Sequence, residues 1–143
     1  MAGKMITALQ RQRFEFSALG SSASQTVVLV PVICAVDFNY AGVYVRVHDR
    51  SMSSGQTLDF NLYNSLPSED DARVFVDVDG TGAPNPLVTV TVTSAVPGAV
   101  PGIVSDYSTR SGPFLRLELA ATQAGTPATF YAELSAEVLL RES

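Results

Sequence analysis

Apolar and polar residues alternate with a period of two along most of this chain. In LVTVTVT, Val88, Val90 and Val92 share one parity and Thr89, Thr91 and Thr93 the other. Successive side chains of an extended backbone point to opposite faces, so this run of β-branched residues predicts a half-buried strand. TLDFNLY repeats the pattern, with Leu58, Phe60 and Leu62 opposed to Asp59 and Asn61, and PFLRLEL sets Leu115, Leu117 and Leu119 against Arg116 and Glu118. Burying three such side chains contributes about 5–8 kcal/mol per strand before chain entropy is subtracted. Further strands are expected at 13–18, 26–36, 43–48, 73–78 and 128–141. The last competes with a helix, because AELSAEVLLRE is rich in helix formers. Phe130, Ala132, Leu134, Ala136, Val138 and Leu140 nevertheless keep one parity throughout, and that favours a strand.

The segments between these runs (SMSSGQ, DGTGAPNP, SAVPGAVPG, TRSGP, QAGTP) are turn chemistry: glycine supplies positive φ and proline fixes φ. Strands punctuated in this way indicate an all-β, antiparallel β-sandwich, jelly-roll-like, of about eight strands, and not βαβ units. Residues 1–12 are expected as a short N-terminal arm and 13–143 as a single sandwich domain, which 143 residues suit. The stretch 97–113 is expected as a long irregular loop, and LPSEDDAR as a helical turn capped by Ser68.

Charge narrows the function classes. Fourteen acids against nine bases leave a net charge of −5. Such a chain gains no counterion-release affinity for phosphate backbones, so no nucleic-acid partner is expected. The longest apolar run, 27–36, contains Pro31 and is far short of a membrane span, so no membrane partner is expected either. The N-terminus MAGKMITALQRQRFEF has no apolar stretch resembling a signal peptide. Cys34 is the only cysteine and lies in an apolar run, which predicts a small buried hydrophobe.

Candidate chemistry is sparse. Asp77 and Asp79 in DVDGTGAPN offer a fragment of a calcium loop. With Gly80 as the sixth loop residue, however, Phe75 and Pro86 fall where ligands belong; a hairpin turn is the simpler reading. His48 is the sole histidine, and no G-x-S-x-G accompanies it. It is read as an outward-facing strand residue, with a small hydrolase centred on it as the least favoured alternative. Glu118, Glu133 and Glu137 sit on polar parities with arginines nearby, so cross-strand pairing explains them without glycosidase chemistry. No catalytic residue, cofactor or metal is assigned. Tyr40, Tyr44 and Tyr107 are candidates for a sugar-stacking platform, which makes a carbohydrate-binding module of a fibre or tail the main alternative function.

TVVLVPVICAV breaks the alternation, being apolar on both parities. Pro31 cannot donate to a ladder, so the strand belongs at an edge or a bulge. An apolar edge strand is an aggregation hazard unless something covers it, and a second subunit resolves the conflict. Val28, Val30 and Val32, with Pro101, Ile103 and Tyr107 of the long loop, are therefore the expected interface residues.

These features together (the VTVTVT strand, the Gly/Pro loops, the apolar edge run and the arm MAGKMITALQRQ) resemble the small virion proteins of tailed phages, above all capsid decoration (cement) proteins. The resemblance covers the whole chain. It implies a non-enzymatic structural protein of the virion, assembled in the host cytoplasm. It also implies a homo-oligomer, commonly a trimer, that clamps the major capsid protein or another virion protein with its arm and loops.

Overall fold

The computed structural model describes residues 3–16, 23–64, 86–94, 102–108, 113–124 and 128–142. Among them the chain forms eight strands: β1 (Gly3–Phe16), β2 (Ala23–Cys34), β3 (Tyr40–Ser51), β4 (Gln56–Asn64), β5 (Val88–Val92), β6 (Gly102–Ser108), β7 (Phe114–Gln123) and β8 (Phe130–Arg141). They make two four-stranded antiparallel sheets, one in the order β1-β8-β3-β6 and the other in the order β2-β7-β4-β5. The pairs β1·β8, β2·β7, β3·β6 and β4·β5 join first strand to last, working inward. A long antiparallel ribbon folded over on itself has this connectivity; it is the jelly roll. No described residue is helical, and the long C-terminal run is strand β8.

Alternation builds the core as expected. On β8, Phe130, Ala132, Leu134, Ala136, Val138 and Leu140 are buried between the sheets. They meet Val43, Val45 and Val47 of β3 and, from the second sheet, Phe60 of β4, Val90 of β5 and Leu117 of β7 in one apolar cluster. Phe16 closes one end against Phe130, ring centroids 5.2 Å apart.

The turn between β3 and β4 depends on Gly55, at φ 91°. A Cβ there would also stand 2.6 Å from the Ala124 carbonyl oxygen. Beside it Gln56 is buried with its amide fully used. Its Oε1 accepts from the Ser53 N–H at 2.6 Å, and its Nε2 donates to Gln123 Oε1 at 2.8 Å and to the Ala128 carbonyl at 3.3 Å.

Three expectations are corrected. Residues 3–12 are not an arm but the first part of β1, paired along β8 from Gly3↔Arg141 to Gln12↔Leu134. Register shifts between Thr7 and Leu9 and between Leu9 and Gln12 each leave an extra residue on β1. The inward parity thus jumps from Ile6 to Leu9 and back to Phe14, which hides the strand from a period-two reading. Residues 102–108, expected within a loop, are strand β6, and their register sets Ile103, Ser105 and Tyr107 opposite Arg46, Tyr44 and Gly42. Cys34 is exposed rather than buried, because the shifts in β2 bring it opposite Phe114 on the outward parity. The expected strand at 73–78, the helical turn at 66–73, Asp77, Asp79 and Pro101 lie outside the described residues.

Candidate functional site

Two surfaces carry the candidate residues. The first is the free edge of β2. Among the described residues this strand is outermost in its sheet and pairs only with β7. Shifts between Val28 and Val30 and between Val30 and Ile33 each leave one residue unmatched, and Pro31 falls within the second. The bulges and the proline keep the edge from offering a continuous ladder of donors and acceptors. Apolar side chains remain on it: Val28 is 41% exposed and Val36, just beyond the strand, 60%. Val30 and Val32 are half-buried.

The second surface is the outer face of the β1-β8-β3-β6 sheet. Its register aligns cross-strand rows: Met5, Leu139, Gly42 and Tyr107 in one, Thr7, Glu137, Tyr44 and Ser105 in the next, and Ser135, Arg46 and Ile103 beyond. Gly42 is the pivot. A Cβ on it would come within 2.8 Å of Tyr107 Cδ1, so the bare backbone lets the Tyr107 ring lie across β3. That ring stacks on Tyr40, centroids 5.8 Å apart, and meets Tyr44 edge-on at 5.9 Å. Arg141 places its guanidinium 4.0 Å over the Tyr40 ring. Burial pushes the Tyr44 hydroxyl above the usual phenol range, while a hydrogen bond with Ser105 holds that of Tyr107 below it.

Next to Tyr44 lies a cavity of about 170 Å³ lined by Met5, Arg46, Ile103, Ser135 and Glu137. Met5, Ile103 and Tyr107 are 51%, 59% and 47% exposed. Arg46 and Glu137 have neither an ion pair nor a hydrogen bond from their side chains among the described residues.

Further along the same face, His48 Nε2 and Ser135 Oγ are 2.9 Å apart. Desolvation and the neighbouring Arg11 charge lower the His48 pKa, which leaves the ring neutral near pH 7. The carboxylates around it are engaged elsewhere: Glu133 takes the Arg11 guanidinium at 2.9 Å, and Asp49 accepts from the Arg50 N–H and the Tyr131 hydroxyl. His48 is half-buried and hydrogen-bonded across strands, rather than free on the surface.

The expected interface residues are thus separated. Val28, Val30 and Val32 lie on β2, beside β1, whereas Ile103 and Tyr107 lie on β6, at the opposite lateral edge of the sandwich. The three tyrosines considered as a platform are brought together, although Tyr107 is some sixty residues from the other two. What sequence reasoning missed is the set around them, Met5, Arg46 and Ser135, together with the place of Glu137, which was expected in a cross-strand pair and has no ion pair among the described residues. Their only signal was outward parity on strands whose register was not yet known.

Among the described residues the chain is an eight-stranded antiparallel jelly roll. It is similar in structure to the crystal structure of the infectious bursal disease virus VP2 subviral particle, with a TM-score of 0.57 and 16% identity over 97% of this chain. A second structure of that virus, from the Gx strain, matches with a TM-score of 0.52 at the same identity and the same coverage of this chain. This chain spans about a third of each of those proteins, 32% and 31%. No protein-family model and no curated protein matches the sequence.

Proposed function

We propose that this chain is a non-enzymatic structural protein of a virion, acting through protein–protein contacts. In its specific form the proposal is a capsid decoration (cement) protein of a tailed phage, a homo-oligomer with a trimer favoured, seated on the major capsid protein. The observation that carries it is the β2 edge, where Val28 stands exposed on an outer strand whose bulges and proline suppress open-ended pairing. Such an edge suits closed side-chain packing against a neighbour and disfavours fibre growth. The capsid-type jelly roll supports the same reading.

Because the β2 and β6 edges lie on opposite sides of the sandwich, a contact between β2 of one copy and β6 of the next is heterologous. Repeated about an axis, that geometry closes a ring. The test is mass in solution by light scattering, with Val28→Asp beside the wild type. A closed oligomer that Val28→Asp dissociates without unfolding supports the reading. A strict monomer that joins no particle overturns it.

A further inference from the structure

We infer that the outer face of the β1-β8-β3-β6 sheet is a binding site for a neutral oligosaccharide. The site is centred on Tyr44 and Tyr107 and on the cavity between Met5 and Ile103. The proposal does not rest on the β2 edge that carries the virion reading, although Ile103 and Tyr107 of β6 belong both to this face and to the strand that the β2–β6 contact would use.

From Tyr40 to Arg46 the strip follows seven residues of β3, six steps or about 20 Å at ordinary strand rise. Tyr107 crosses this strip because Gly42 has no side chain. The outcome is an aromatic surface followed by a cavity of about 170 Å³. An extended chain of sugar rings fits that succession better than a single small molecule does. Sugar rings present a C–H face that packs on aromatic rings, and tyrosine adds a polar hydroxyl at the wet end of the contact.

Arg46 and Glu137 flank the Tyr44 ring and carry no internal partner among the described residues. A guanidinium and a carboxylate each present a planar fork, which matches the adjacent hydroxyls of a sugar. At the cavity one positive and one negative group offset each other, and Arg141 at the far end of the strip is engaged on the Tyr40 ring, so the recognised chain is neutral. Ser135, opposite Arg46 in the register, adds a hydroxyl already hydrogen-bonded with His48.

An apolar protein surface docked over Arg46 and Glu137 would desolvate both without satisfying them, which is costly, so a β2–β6 contact between copies stays at the β6 edge and leaves this pair uncovered. A polyol satisfies both. The Tyr107 ring also covers Gly42, a role that stabilises the sheet whether or not a ligand binds. The discriminating residues are therefore Tyr44, Arg46 and Glu137.

The experiment uses the full chain. A printed array of oligosaccharides is screened first. Maltohexaose, cellohexaose, laminarihexaose and chitohexaose are then titrated singly against tyrosine fluorescence, which reports on this face because the chain has no tryptophan and four of its five tyrosines lie on it, three at the site and Tyr131 further along. Binding of a neutral oligosaccharide is expected, weakened at least about tenfold by Tyr44→Ala, by Arg46→Ala and by Glu137→Gln. Val28→Asp should leave it unchanged. Arg46 and Glu137 are exposed, so their variants keep the fold even where Tyr44→Ala loosens it. A folded protein that binds nothing on the array overturns the proposal. So does sugar binding that survives Arg46→Ala and Glu137→Gln. A change in oligomeric state on altering these residues, with no sugar bound, assigns the face to a protein contact instead.

Discussion

Replacing Gln56 by leucine removes an amide from the buried end of the sandwich while nearly preserving its volume. Three hydrogen bonds go with it, but their loss is unequal. The Ser53 N–H and the Ala128 carbonyl belong to exposed residues and turn to water. Gln123 is 3% exposed, so its Oε1 is left without a partner. A buried acceptor stranded in this way costs about 1–3 kcal/mol, and two lost exchangeable bonds add about 1 kcal/mol each. Leucine recovers about 1 kcal/mol through its apolar surface. The net expected loss is about 2–4 kcal/mol, a large share of the stability of an ordinary domain. Gln123→Leu should cost about 1–2 kcal/mol, because Gln56 Nε2 keeps the Ala128 carbonyl. The double variant removes donor and acceptor together and should recover about 1–2 kcal/mol relative to the sum of the single losses. Urea unfolding followed by circular dichroism, at an unchanged denaturant slope, measures all three. A Gln56→Leu loss below about 0.5 kcal/mol, or strictly additive single losses, would refute the view that this amide pair is coupled and dry.

The remaining predictions address the turn, the ion pairs and the pH dependence. Gly55→Ala forces a side chain into positive φ and against the Ala124 carbonyl, and should cost about 2 kcal/mol or more. Gly3→Ala, whose Cβ would find ordinary contacts at 3.6 Å, should stay within about 0.5 kcal/mol by the same urea assay. Arg116 and Glu118 pair at 2.7 Å with both side chains largely buried, so Glu118→Ala strands a buried cation and should cost about 3 kcal/mol. Glu15→Ala breaks an exposed pair with Arg13 and should change thermal stability by less than about 0.5 kcal/mol. His48 is harder to protonate in the folded chain than at its ordinary value of 6.5. Its contribution is therefore fully present above that value and is lost as pH falls through the window below it. His48→Gln should flatten the stability profile there, and an unchanged profile would show that His48 titrates as in the unfolded chain. Glu133, held low by its hydrogen bond to Arg11, acts in the same direction but at lower pH, in the carboxylate range.

Local chemistry determined which segments became β4, β5, β7 and β8. In each of them one parity is apolar and the other polar, and one buried face with one wet face is all that such a pattern permits. It also determined that residues 26–36 need an edge or a bulge, since Pro31 has no N–H to give a second neighbour. It could not determine β1, whose two extra residues break the parity that sequence reading relies on. Nor could it determine β6, whose bulkier residues Ile103 and Tyr107 face outward by register. The exposure of Cys34 and the separation of β2 from β6 are likewise consequences of bulges and strand order. The tyrosine face depends on the tertiary structure most of all. Tyr107 reaches Tyr40 and Tyr44 only because β6 pairs with β3 and because Gly42 lies opposite it. Alternation is written in neighbouring residues, whereas pairing and register are set by which distant strand offers its hydrogen bonds. That choice belongs to the packed sandwich as a whole.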